Sequence, residues 1–156
     1  MKYIEVPSDY YLSELPRPSI FLANGIVDCP DWQKKMVDRL SDCSCTLLNP
    51  RRENFPIEDP NAAWEQIAWE RQALHKADAV SFWFPKDTLC PIVLYELGCH
   101  SEREVPIFVG TEYGYAREID VEIQTTLARP EVCVVHRLND LITQVKIFIE
   151  KNSVSR

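Results

Sequence analysis

Residues 78–98 read DAVSFWFPKDTLCPIVLYELG, a passage from buried strand to helix around which the rest of the chain can be laid out. Ala79-Val80-Ser81-Phe82-Trp83-Phe84 is a β-rich apolar run without helical period, so it reads as a core strand opened by Asp78. Pro85 ends the strand. Pro91 suits the first position of a helix, where its missing N–H costs nothing. Glu96 then falls within the first two helical turns, between Tyr95 and Leu97-Gly98. A carboxylate just past the C-terminal end of a strand lies where α/β sheets bind ligands, so Glu96 is the candidate reactive group. The alternative is a surface glutamate favoured there by the helix dipole.

The same alternation repeats on both sides of this stretch. Upstream, Ser19–Asn24 (SIFLAN) is a core strand with Gly25 as its turn, and Cys45–Asn49 (CTLLN) is another. Between them Trp32, Met36, Val37 and Leu40 fall at helical spacing over 31–40, a helix whose start is marked by Asp28 and Pro30. Asp59-Pro60 opens a helix reaching about Lys76, with Trp64, Ile67, Arg71 and Leu74 on one side. Downstream come a strand at Val105–Gly110, a helix at Arg117–Leu127 and a strand at Val132–His136. A last helix runs from Asn139 to about Lys151, in which Leu141, Val145 and Phe148 are core positions flanked by Ile142 and Ile149. Residues 1–17 have no clear period and read as an N-terminal arm. Five short strands alternating with helices predict one three-layer, Rossmann-like α/β domain over 1–156, with a five-stranded parallel sheet. Right-handed crossovers make 2-1-3-4-5 the simplest strand order, with the site at the switch point between strands one and three.

Composition narrows the function. The net charge of −7, with acids and bases scattered, argues against a nucleic-acid or anionic-membrane partner. No apolar run approaches the roughly 20 residues of a membrane span. MKYIEVPSDYY lacks a charged-then-apolar leader, so a cytoplasmic protein is expected. The six cysteines contain no C-x-x-C pair and read as reduced thiols, so no metal is expected. G-x-G-x-x-G, the P-loop and the G-x-S-x-G elbow are all absent, which disfavours a dinucleotide site, a P-loop and an α/β-hydrolase. What remains is carboxylates near strand ends and a loop with paired arginines. That set suits chemistry through an oxocarbenium-like transition state.

IFLANG at 20–25, LNPRRENFP at 48–56, WERQALHKADAVSFWFP at 69–85 and LYELG at 94–98 follow one another in an order that resembles the nucleoside 2-deoxyribosyltransferase-like family, as a divergent member. The E-L-G element after the third strand is its most diagnostic part. The resemblance implies a flavodoxin-like fold, a homo-oligomer and no cofactor. It also implies a glutamate nucleophile that attacks C1′ of a (deoxy)nucleoside or nucleotide, with another base or water then taking the sugar. Glu96 matches the nucleophile. Glu70, eight residues before Asp78, falls where the family usually has an aspartate that helps the base leave. Its alternative is an exposed helix glutamate beside Arg71. Asp78 reads as structural.

Two positions depart from the family. Phe21 stands where many members have a tyrosine whose hydroxyl reaches the nucleophile. Cys90 stands where deoxynucleoside transferases have an aspartate and related nucleotide hydrolases a serine. Arg51 and Arg52 suit a phosphate, the alternative being surface pairs with Glu53, Glu58 or Asp59. Asn24, Gly25, Asn54 and Asp87 are expected at the same mouth, with Tyr113, Tyr115 and Arg117 closing one side. Trp83 and Phe84 read as core before they read as a stacking platform. A non-catalytic domain that binds or senses a nucleotide derivative on the same fold is the alternative function.

Overall fold

The structure, a computed structural model, describes residues 1–8, 14–23, 29–52, 54–56 and 58–153. The strands are β1 (Lys2–Glu5), β2 (Ser19–Ala23), β3 (Thr46–Asn49), β4 (Ala79–Phe84) and β5 (Ile107–Thr111). The helices are α1 (Trp32–Arg39), α2 (Ala62–Lys76), α3 (Pro91–Ser101), α4 (Glu118–Ala128) and α5 (Leu138–Ser153). All strand pairs are parallel, in the order β1-β3-β2-β4-β5.

A parallel sheet must be covered on both faces, because its crossovers put helices there. Successive residues of one strand therefore go to opposite layers. Phe21, Leu48, Val80, Phe82 and Phe84 pack with Ala73 and Leu74 of α2, Val93 and Leu97 of α3 and Val121 of α4. Ile20, Leu22, Leu47, Ala79 and Trp83 pack with Trp32 and Met36 of α1 and Leu141, Ile142, Val145 and Ile149 of α5. Phe148 is only half-buried, against Phe108 at 5.5 Å between ring centroids. The chain leaves β2 for α1 on one face and β4 for α3 on the other, which opens the switch-point crevice at their carboxyl ends.

The three-layer parallel fold is as expected, and the predicted strands Ser19–Asn24, Cys45–Asn49, Ala79–Phe84 and Val105–Gly110 keep their mutual order. The fifth place differs. Lys2–Glu5, expected as an arm, pairs with β3 from Lys2↔Thr46 to Glu5↔Asn49. Only Ile4 of its four residues is buried, a pattern too polar to stand out yet suited to an edge strand. Val132–His136 contributes one bridge, Gly110↔Val135. Neighbouring carbonyls are occupied instead: Arg129 donates to Arg103 and Val105, and Gln144 donates to Cys133.

Gly110 is needed where it stands, because a Cβ there would lie 2.7 Å from the Trp83 ring. Asp31 caps α1 by accepting from the Lys34 amide at 2.9 Å; Asp28 lies outside the described residues. α2 also turns differently from its apolar stripe. It buries Ala62, Gln66, Ala73 and Leu74, while Trp64 is 80% exposed and Ile67 62%. Asp78 is structural: its carboxylate accepts from the Ser19 amide at 2.7 Å, from Ser19 Oγ at 2.8 Å and from Arg17.

Candidate active site

Both α2 and α3 start at the carboxyl end of the sheet and descend the same face, so their facing sides form a trough. Glu70 lies in the middle of α2 and Glu96 in the second turn of α3. Both line a cavity of about 580 Å³ between the helices. Its walls are largely apolar, with Phe55, Ile67, Leu74, Ile92 and Tyr95 prominent among them. Burial, and after it the charge of Glu70, push the Glu96 carboxyl up to about 7. Burial likewise raises Glu70, partly opposed by the hydrogen bond from Gln66. Two desolvated carboxylates on one cavity hold a proton between them more readily than either would alone.

Supporting contacts orient the pair. Gln66 is one helical turn before Glu70, and its Nε2 donates to Glu70 Oε1 at 2.8 Å and to the Pro50 carbonyl at 3.2 Å. That amide ties α2 to the loop after β3. Gln66 Oε1 is buried without a hydrogen-bond partner among the described residues. Below Glu96, His100 is wholly buried and kept neutral chiefly by desolvation. Arg103 Nη1 approaches His100 Nε2 at 2.7 Å, which places the ring proton on Nδ1, 3.0 Å from the Glu96 carbonyl oxygen.

The structure brings together Glu70 and Glu96 and separates most of the other expected residues from them. Phe21 is buried in β2 on this face and offers no hydroxyl. Cys90 is buried at the N-cap of α3 with a left-handed φ of 48°, its Sγ 3.8 Å from the Thr88 carbonyl oxygen. Arg51 and Arg52 diverge, as neighbours on an extended chain do. Arg51 Nε lies 3.8 Å from Asp31, towards α1. Arg52 Nη1 lies 3.5 Å from Glu65 of α2, with its guanidinium 5.9 Å from the Phe55 ring centroid. Their ion-pair partners are therefore Asp31 and Glu65 rather than Glu58 or Asp59. Asn54 and Asp87 are exposed, and neither lines the cavity. Asn24 and Gly25 lie outside the described residues.

Tyr113, Tyr115 and Arg117 do not close the cavity. Tyr115 is buried against Phe84 and donates to the Leu89 carbonyl at 2.7 Å, steadying the loop into α3. Tyr113 stacks on His136, and Arg117 pairs with Asp120. Trp83 and Phe84 are core. Sequence reading missed Phe55, Gln66, Tyr95 and His100. The Gln66–Glu70 spacing of four on a helix was a usable signal for one of them.

Fold and site define a three-layer parallel α/β domain with paired carboxylates on a cavity between two helices of one face. A model of the family described as nucleoside 2-deoxyribosyltransferase like matches residues 17–115. The chain belongs to that family, which gives it a nucleoside-related role at the family's level of description. A solved structure described as a conserved protein from Enterococcus faecalis V583 is similar in fold, with a TM-score of 0.59 at 15% identity. The alignment covers 83% of this chain and 98% of that one. No curated protein matches the sequence. No helix among the described residues is long and apolar enough to cross a membrane.

Proposed function

We propose that this protein cleaves or transfers at the N-glycosidic bond of a (deoxy)nucleoside or nucleotide, with Glu96 as nucleophile. The observation that carries the proposal is the placement of two desolvated carboxylates, Glu96 and Glu70, on one largely apolar cavity. In the ionised form Glu96 attacks C1′ as the C1′–N bond breaks. The bonding pair goes to the base nitrogen, which Glu70, holding the proton, protonates. Water or an acceptor base then displaces Glu96 from C1′, with Glu70 taking the proton back. Phe55 and Tyr95 supply flat walls for the base. Arg52 Nη1, which makes no hydrogen bond among the described residues, would exchange its Glu65 ion pair for a phosphate.

The test is base release from a panel of nucleosides and nucleotides by wild type and by Glu96→Ala. Loss of release in the variant supports the assignment, and equal rates overturn it. Adding an acceptor base separates transfer from hydrolysis. The second reading, a binding or sensor domain without turnover, draws on Phe21, which leaves the nucleophile without a tyrosine hydroxyl. Tight nucleotide binding without base release would establish that reading instead.

The proposal includes a cytoplasmic, single-domain protein that works as a homo-oligomer. Trp64 and Ile67 of α2, with Ile92 and Tyr95 of α3, expose between 62% and 80% of their surface. An apolar patch of this kind, three of whose residues also line the cavity, is what a second copy would cover.

A further inference from the structure

A second constellation lies apart from the cavity. Glu118 and Glu122, four residues apart on α4, face His136 at the end of the bridged segment after α4. Glu122 Oε1 is 2.9 Å from His136 Nε2, and Glu118 Oε1 is 3.5 Å from Nδ1. The three residues are partly buried, and one ligand atom from each fits within 4.8 Å of the others.

We propose that Glu118, Glu122 and His136 form a binding site for a divalent transition-metal ion such as zinc. The imidazole is held from the sheet. Its Nδ1 lies 3.2 Å from both the carbonyl oxygen and Oγ1 of Thr111, and donation to the carbonyl is the type of contact that orients a metal-binding histidine. With the proton on Nδ1, the Nε2 lone pair meets a carboxylate oxygen of Glu122 at 2.9 Å. In that tautomer the separation calls for a positive charge between the two atoms, whereas in the other, with Thr111 Oγ1 donating to Nδ1, Nε2–H donates to Glu122. An ion with metal–nitrogen and metal–oxygen bonds of about 2.0–2.2 Å places adjacent ligand atoms roughly 3 Å apart.

Further observations concern the surroundings of the three side chains. Glu118 Oε2 accepts from the Gly114 amide at 2.9 Å, which orients the carboxylate and leaves Oε1 free to ligate. Among the described residues neither glutamate has a lysine or arginine within ion-pair distance; His136 is the partner of both. Tyr113 stacks on the imidazole at 4.7 Å, shielding one side. His136 and Tyr113 also line a separate crevice of about 600 Å³ beyond β4 and β5. One imidazole and two carboxylates suit zinc, cobalt or manganese better than calcium or copper(I). Bound there, the ion ties α4 to a segment that joins the sheet through a single bridge. The site does not depend on the reaction proposed for Glu96.

Titrating chelator-treated full-length protein with Co²⁺ and following its d–d absorption tests the site. One equivalent should bind, with competition by Zn²⁺. His136→Ala should abolish the bands, and Glu118→Gln and Glu122→Gln should each weaken binding by about 10–100-fold. The two glutamine variants keep side-chain size and so preserve the test if the histidine variant fails to fold. No d–d absorption in the wild type overturns the proposal. So does binding unchanged in the glutamine variants, or a thiolate charge-transfer band that places the ion on a cysteine.

Discussion

Glu96→Gln removes a carboxyl group that burial, and secondarily the charge of Glu70, push from 4.5 to about 7. An acid raised in this way keeps its proton in the folded protein at pH values where the unfolded chain has already lost it. Between about pH 4.5 and 7 the folded state therefore binds more protons, and stability falls as pH rises. The cost is absent below that window and complete above it. At about 1.4 kcal/mol per pKa unit the ceiling is roughly 3 kcal/mol. Solvent reaching a half-buried group lowers the expected value to about 1–2 kcal/mol. Glutamine cannot ionise, so the variant should gain that much on the wild type between about pH 4.5 and 8, whatever its offset at low pH. Urea denaturation of both proteins across this range measures the difference, and comparing pH values cancels the fixed effect of exchanging carboxyl for amide. A stability difference that stays flat with pH would refute the desolvated-carboxylate argument.

The same titration governs catalysis: if ionised Glu96 is the nucleophile, kcat/KM should rise with pH through about 7, seen in a pH–rate profile. Glu70→Gln should slow base release by about 10²–10⁴-fold in steady-state assays, most for the poorest leaving bases. It should also lower the Glu96 midpoint in an NMR titration yet leave it above 4.5, since burial is the larger cause. Gly110→Ala should cost about 1–3 kcal/mol in thermal denaturation, because the new methyl would meet the Trp83 ring in the core. Trp64→Glu should shift the protein towards monomer in analytical ultracentrifugation if the exposed α2–α3 patch is the contact between copies.

A buried acid that weakens the folded state where it ionises is the kind of cost tolerated for chemistry rather than for architecture. Asp78 is the counterexample in the same chain. Its carboxylate is matched by an amide, a hydroxyl and a guanidinium, and it holds the start of β4 to the start of β2.

Much of this protein is decided by neighbours along the chain. A β-rich run stopped by Pro85 and a proline at the first position of α3 are local matters, legible residue by residue. So were the alternating strands and helices that call for a covered parallel sheet, and the position of Glu96 just past a strand end. Other features depend on which distant segments meet. Lys2–Glu5 becomes a strand only because β3 offers it an edge, and Val132–His136 is held to one bridge by side chains of Arg129 and Gln144. The adjacent arginines face opposite ways, and Trp64 and Ile67 turn outward because α2 buries its Gln66 side instead. Spacing along one helix could bring Gln66 to Glu70, but only the packing of α2 beside α3 sets Glu70 and Glu96 on one desolvated cavity. The sequence thus determined most of the elements and which acid to watch. The tertiary structure decided that acid's environment, because desolvation and the repulsion between carboxylates arise only once the two helices are side by side.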